Sequence, residues 1–174
     1  MKRRILIAML LFASAAQAQS DPWAALRVFE GKWEGTVTGK PGKQISHREY
    51  HFEYNGKFLS QRDDSVYVYQ PQSSSDRSGD RGDFGVFSYD VIQKKIVWRQ
   101  FHSEGFVNEY TLDSVSADGK ALEFVTYRIE NFPGGRAKKS YRVISANEIE
   151  ETFYLAPLGK DFEEYTVARL TRVK

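Results

Sequence analysis

Cysteine is absent from the 174 residues, and histidine occurs only three times. Without cysteine there is no disulfide framework, no thiol nucleophile and no lipoprotein attachment, so stability must come from packing. No apolar run reaches the roughly 20 residues that a membrane helix needs, so no stable membrane anchor is expected. No Ser–His–Asp order, paired-carboxylate motif or phosphate-binding glycine loop is present. A basic surface is also lacking. The formal charge of +2 comes from the first residues: Lys2-Arg3-Arg4, the apolar run Ile5 to Ala13 and Ala16-Gln17-Ala18 have the grammar of a secretory leader cut near Ala18. The arginine pair lacks the flanking pattern of a folded-protein export signal. Removing residues 1–18 takes Lys+Arg from 25 to 22 against 23 Asp+Glu. That leaves no electrostatic footprint for nucleic acid. The expected location is periplasmic or secreted.

Three regions follow: a leader over 1–18, a segment with one short helix over 19–30, and a single domain over 31–174. In the second, Asp21 is placed to cap and Pro22 to open the helix of WAALRVFE, which Gly31 stops. Nearly everything after Gly31 alternates and is rich in Val, Tyr, Phe and Thr, which predicts about ten strands. GKPGK, YNGK, SEG, ADGK, FPGG, SANE and PLGK mark turns, several of them short enough to make sequence neighbours antiparallel neighbours. QPQSSSDRSGDRGD, residues 70–83, has no apolar residue and reads as one solvated loop. Its Arg81-Gly82-Asp83 tripeptide is read as coincidence. The expected fold is all-β: a closed or nearly closed antiparallel up-and-down β-barrel with a short N-terminal helix, because closure removes exposed edges. A two-sheet sandwich is the alternative.

Gly31-Lys32-Trp33-Glu34-Gly35, entered from a short helix, resembles the Gly-x-Trp start of calycin-type barrels, the lipocalins and fatty-acid-binding proteins. The Gly-x-Trp-x-Gly form is nearest to nitrobindin-like haem-binding barrels and related small uncharacterised barrels. The resemblance implies that Trp33 plugs the closed end and that an arginine of the last strand, Arg169 or Arg172, stacks on it. It also implies haem held through a C-terminal histidine. This chain has no histidine after residue 102, so haem is not carried over and the cofactor stays open.

Two stretches bear on function. In HREYHFEY, residues 47–54, His47, Glu49, His51 and Glu53 share one strand face. The two histidines sit about 13 Å apart along the strand, too far to close on one metal ion. Tyr50, Phe52 and Tyr54, with Arg48, share the other face and are expected inside. In WRQFHSEGFVNEY, residues 98–110, a three-residue Ser103-Glu104-Gly105 loop places Trp98, Gln100, His102, Phe106, Asn108 and Tyr110 on one face, with Arg99 opposite Glu109. A two-residue turn would send His102 to the other face. Aromatic walls with a few amide groups are what a ligand cavity needs. Glu104 and Asp90 are the candidate partners for His102. Arg128, Glu130, Asn131 and Arg136 flank a turn and suit a rim; Tyr141, Tyr154 and Tyr165 suit packing. The expected role is non-covalent binding of a small hydrophobic molecule inside the barrel. The alternatives are an enzyme using His102 as acid or base, and a filled barrel with no ligand.

Overall fold

The computed structural model of the protein describes residues 21–68 and 80–174. Residues 1–18, read as a leader, and residues 70–79 of the polar stretch therefore lie outside the described residues. Ten strands follow one short helix: β1 (Gly31–Gly39), β2 (Gln44–Glu53), β3 (Phe58–Tyr67), β4 (Asp80–Asp90), β5 (Lys95–His102), β6 (Val107–Val115), β7 (Ala121–Glu130), β8 (Arg136–Ser145), β9 (Glu148–Ala156) and β10 (Glu163–Arg172). Each pairs antiparallel with its neighbours in sequence, and β1 also pairs with β10, which closes the barrel. Closure leaves no strand at a sheet edge. The polar stretch is shorter than its composition suggests. Asp80 to Asp83 belong to β4, with Gly82 opposite Asp64 and Asp83 opposite Asp63.

The helix is a 3₁₀ helix, η1 (Ala24–Phe29). Trp23, Leu26 and Phe29 recur every third residue, and three residues per turn stack them on one face, where all three are buried. An α-helix would spread them over a wider arc. The N-cap falls on Trp23, not Asp21, and the helix starts at Ala24 rather than Pro22; Asp21 accepts the Trp23 N–H at 3.0 Å in the turn that precedes it.

This face closes one end of the barrel. Trp33 is buried beneath it and donates from Nε1 to the Phe29 carbonyl at 2.7 Å. Arg172 supplies the stacking cation, 4.3 Å from the Trp33 ring centroid. It also donates to the carbonyls of Val28, Glu30 and Ala146. Arg169 does not stack. Its odd spacing from Arg172 turns it outward, where it pairs with Glu150 at 2.9 Å. Gly35 is required by the seam: a Cβ there would lie 1.9 Å from the Arg169 carbonyl oxygen of β10.

Barrel strands tilt against the axis, so a row of paired residues climbs as it crosses the sheet. One inward-facing row runs Trp33, Arg48, Asp63, Asp83, His102, each the register partner of the next. It starts at the plugged floor and ends at the opposite mouth.

Arg172→Met is expected to lower unfolding stability by about 2 kcal/mol, because it removes charged hydrogen bonds to three carbonyls and the cation–π contact. Arg169→Met should stay within about 0.5 kcal/mol, as exposed ion pairs do. Urea unfolding of the two variants checks this; equal losses would contradict the assignment of Arg172 as the floor arginine.

Candidate functional site

The β5–β6 hairpin adopts the three-residue loop. Trp98 pairs with Tyr110, Arg99 with Glu109 and Gln100 with Asn108. The His102 N–H donates to the Phe106 carbonyl at 2.9 Å, and Gly105 takes φ +88°. That left-handed geometry suits glycine and sets the register, so His102 points into the barrel.

The residues expected as cavity wall divide by height. Tyr50, Trp98 and Tyr110 belong to a filled lower half and do not line open space. Trp98 stacks between Phe87 at 4.7 Å and Tyr110 at 4.8 Å, with Phe124 edge-on at 5.5 Å. Phe52 is half-buried against Trp23 at the closed end, 5.6 Å between rings. Tyr54 is 78% exposed, because β2 ends at Glu53 and Tyr54 enters the turn with φ +50°. Strand alternation does not extend past that point. Gln100 is buried and donates to Asp83. His102, Phe106 and Asn108 reach open space near the mouth.

Above the rings lies a cluster the sequence reading did not assemble. Arg48 and Glu151 side chains, each 4% exposed, meet across the lumen at 2.7 Å. Arg48 Nε also contacts Asp63 at 2.7 Å, and Lys139 Nζ lies 3.3 Å from Glu151. Ser46 and Ser65 donate to Asp63 Oδ1 at 2.7 and 3.0 Å. Lys139 sits over the Trp98 ring, 4.9 Å from its centroid. Burial alone would raise the Glu151 carboxyl, but the Arg48 and Lys139 charges overcome it and hold the group at about 2. Burial pushes Tyr50 up to about 12 and Tyr110 and Tyr141 well above their ordinary value, so all three phenols stay protonated. The available signal was parity: Arg48 shares the inward face of Tyr50.

Two adjoining spaces open above this cluster. An inner chamber of ≈ 80 Å³ is lined by Gln44, Arg48, Asp63, Ser65, Asp83, Lys139, Glu151 and Thr166. An outer recess of ≈ 280 Å³ is walled by Phe106, Ile129, Phe132, Phe153, Leu155 and Tyr165 with Glu104 and Asn108. His102, Phe153 and Tyr165 border both. The rim turns are tied together by Asn131 Nδ2 donating to the Gly105 carbonyl at 2.6 Å and by the Phe106–Phe132 ring contact. Arg128 lies on the outer surface with Glu109 and Glu130, and Arg136 bonds the Lys160 carbonyl.

His102 Nδ1 lies 3.1 Å from Asp83 Oδ1. Nε2 lies 2.9 Å from Asn108 Nδ2, which also donates to the Tyr110 hydroxyl at 3.0 Å. The partner of His102 is thus Asp83, not Glu104 or Asp90. Asp90 sits at the other end of the strands, accepting the N–H groups of Ile92 and Gln93. Haem ligation by His102 would use Nε2, because a carboxylate beside Nδ1 is the usual partner of a ligating histidine, and Nε2 is already in contact with Asn108. His47 and His51 are exposed on the outer surface. Among the described residues no group of three His, Asp or Glu side chains is placed to hold a metal ion.

No protein-family model matches the chain, and no curated protein matches it in sequence. Solved structures do share its fold. Rv2717c from M. tuberculosis aligns with TM-score 0.69 and 18% identity over 88% of this chain and 98% of that one. The S-type phycobiliprotein lyase CPES from Guillardia theta gives TM-score 0.48 and 10% identity over 84% and 89%. EF1p2_mFAP2b, solved bound to DFHBI, gives 0.37 and 15% over 86% and 97%. At 18% identity the likeness to Rv2717c is one of fold alone; the other two are more distant.

Arg48→Met leaves two buried carboxylates short of a cation and should cost about 3–5 kcal/mol. Measured by denaturant unfolding at neutral pH, a loss under about 1 kcal/mol would show that the bridge carries little. The depressed Glu151 value also sets an acid dependence. Its contribution is complete above the ordinary carboxyl value of 4.5 and is lost as pH falls toward 2. Stability should therefore decline across that window, and Glu151→Gln, though less stable at neutral pH, should show a shallower decline there.

Proposed function

We propose that the protein is an exported barrel that binds one small, mainly apolar molecule non-covalently in its mouth. The observation that carries this is the recess of ≈ 280 Å³ with aromatic and aliphatic walls, which shares His102 with an adjoining chamber of charged and polar groups. Apolar walls with a few oriented polar groups are the usual form of a small-molecule site. The size, just under the roughly 300–1,000 Å³ of drug-sized ligand sites, suits a molecule of one to three fused rings. The packed rings of the lower half favour a floor beneath that site over a barrel filled throughout.

The Asp83–His102 contact favours one second reading, acid–base catalysis, since a carboxylate-oriented imidazole is its basic part. Against it stands Asn108, whose amide lies against Nε2 at 2.9 Å. A substrate proton could reach that nitrogen only after Asn108 moved. Binding therefore remains the preferred role, with His102 orienting the ligand.

Aminoanthracene, an uncharged dye that brightens in apolar surroundings, should bind with a blue-shifted emission. Ile129→Trp, which fills the recess, should weaken it by at least about tenfold; unchanged affinity would remove the recess as the site. Native mass spectrometry of protein from its own source identifies what it carries. N-terminal sequencing of the same sample should begin just after Ala18, and an intact Met1 would end the export reading.

A further inference from the structure

Building on the ligand-binding reading, we propose that the end of the ligand entering the inner chamber is uncharged and hydrogen-bonding, such as a hydroxyl, carbonyl or primary amide. The barrel then rejects the carboxylate and ammonium analogues of the same molecule. The reason lies in the four charges at the chamber floor. Two cations, Arg48 and Lys139, face two anions, Asp63 and Glu151, and every one is buried.

The pairing leaves neither sign on offer. Arg48 presents Nε to Asp63 at 2.7 Å and both terminal nitrogens to Glu151, at 2.7 and 3.4 Å. Lys139 spends its charge on Glu151 at 3.3 Å and is covered by the faces of Trp98 and Phe153, at 4.9 and 5.7 Å. An entering carboxylate would have to displace Asp63 or Glu151 from Arg48, leaving a buried anion uncompensated. An entering ammonium would meet Arg48 and Lys139 with their carboxylates already taken. The chamber's third carboxylate, Asp83, faces His102 Nδ1 with Oδ1 and accepts from Gln100 at Oδ2, so it too is engaged. A neutral group displaces none of these partners. The Gln44 amide and Thr166 hydroxyl line the chamber and can bond with it. An unbalanced charge in a buried site is costly, whereas a satisfied neutral polar group is not.

Changing one member should therefore change the preferred ligand. Glu151→Gln leaves the floor one charge positive; Lys139→Met leaves it one charge negative. The test is displacement of aminoanthracene by four molecules with one body: methylnaphthalene, naphthylmethanol, naphthoate and naphthylmethylammonium. The wild-type protein should bind the alcohol at least about tenfold tighter than either ion. Glu151→Gln should move the preference toward naphthoate, and Lys139→Met toward the ammonium. The wild-type series decides the matter alone if either variant fails to fold. Binding of either ion by the wild type as tightly as the alcohol overturns the proposal while leaving a ligand-binding barrel. Failure of all four, methylnaphthalene included, overturns the binding reading and this proposal with it.

Discussion

The Arg48–Glu151 bridge is the contact on which the interior is organised. Its partners stand 103 residues apart in sequence, on β2 and β9, and meet across the lumen. Below it the barrel is solid, packed with Trp33, Trp98, Tyr110 and Phe124. Above it the walls part. A buried ion pair is a poor source of net stability, because desolvation offsets most of its attraction. Here Asp63, Lys139 and two serine hydroxyls complete its bonding, and the cluster marks the level at which packing stops and open space begins.

The tilt of the strands makes this division possible. A row of register partners in a barrel is a spiral that climbs the wall. Trp33, Arg48, Asp63, Asp83 and His102 lie on one such row, and its chemistry changes with height. It passes from an apolar plug through paired charges to an imidazole beside the mouth. Opposite it, β6, β7 and β9 contribute Phe106's neighbours, Ile129, Phe153 and Leu155 to the recess. The result is a site with a polar inner end and an apolar outer body.

Periodicity exposed much of this and obscured some. The ten strands, the turn motifs and the SEG hairpin register could be read because alternation and turn chemistry are local. Asp83 was lost because residues 70–83 have no apolar member, and a strand with a polar inward face looks like a loop. The same inversion runs through β3 and its neighbours: Gln61, Asp63 and Ser65 are buried, while Val66, Phe84 and Phe101 are 44–48% exposed on the outside. Tyr54 failed for the opposite reason, since its aromatic character suggested an interior that the strand no longer reached. Arg48 had the right parity, but no local signal announces that a cation on an inward face will find Glu151.

The sequence by itself determined about ten strands, the turns and a short helix before Gly31, and its Gly-x-Trp-x-Gly motif carried the resemblance that implies the tryptophan plug. Each rests on interactions within a few residues or between adjacent strands. Only the tertiary structure decided which arginine meets Trp33, how far up the barrel the rings extend, and that four charges neutralise one another beneath a cavity. Those contacts join strands distant in the chain, and their geometry follows from barrel closure and tilt. Neither leaves a mark on local spacing.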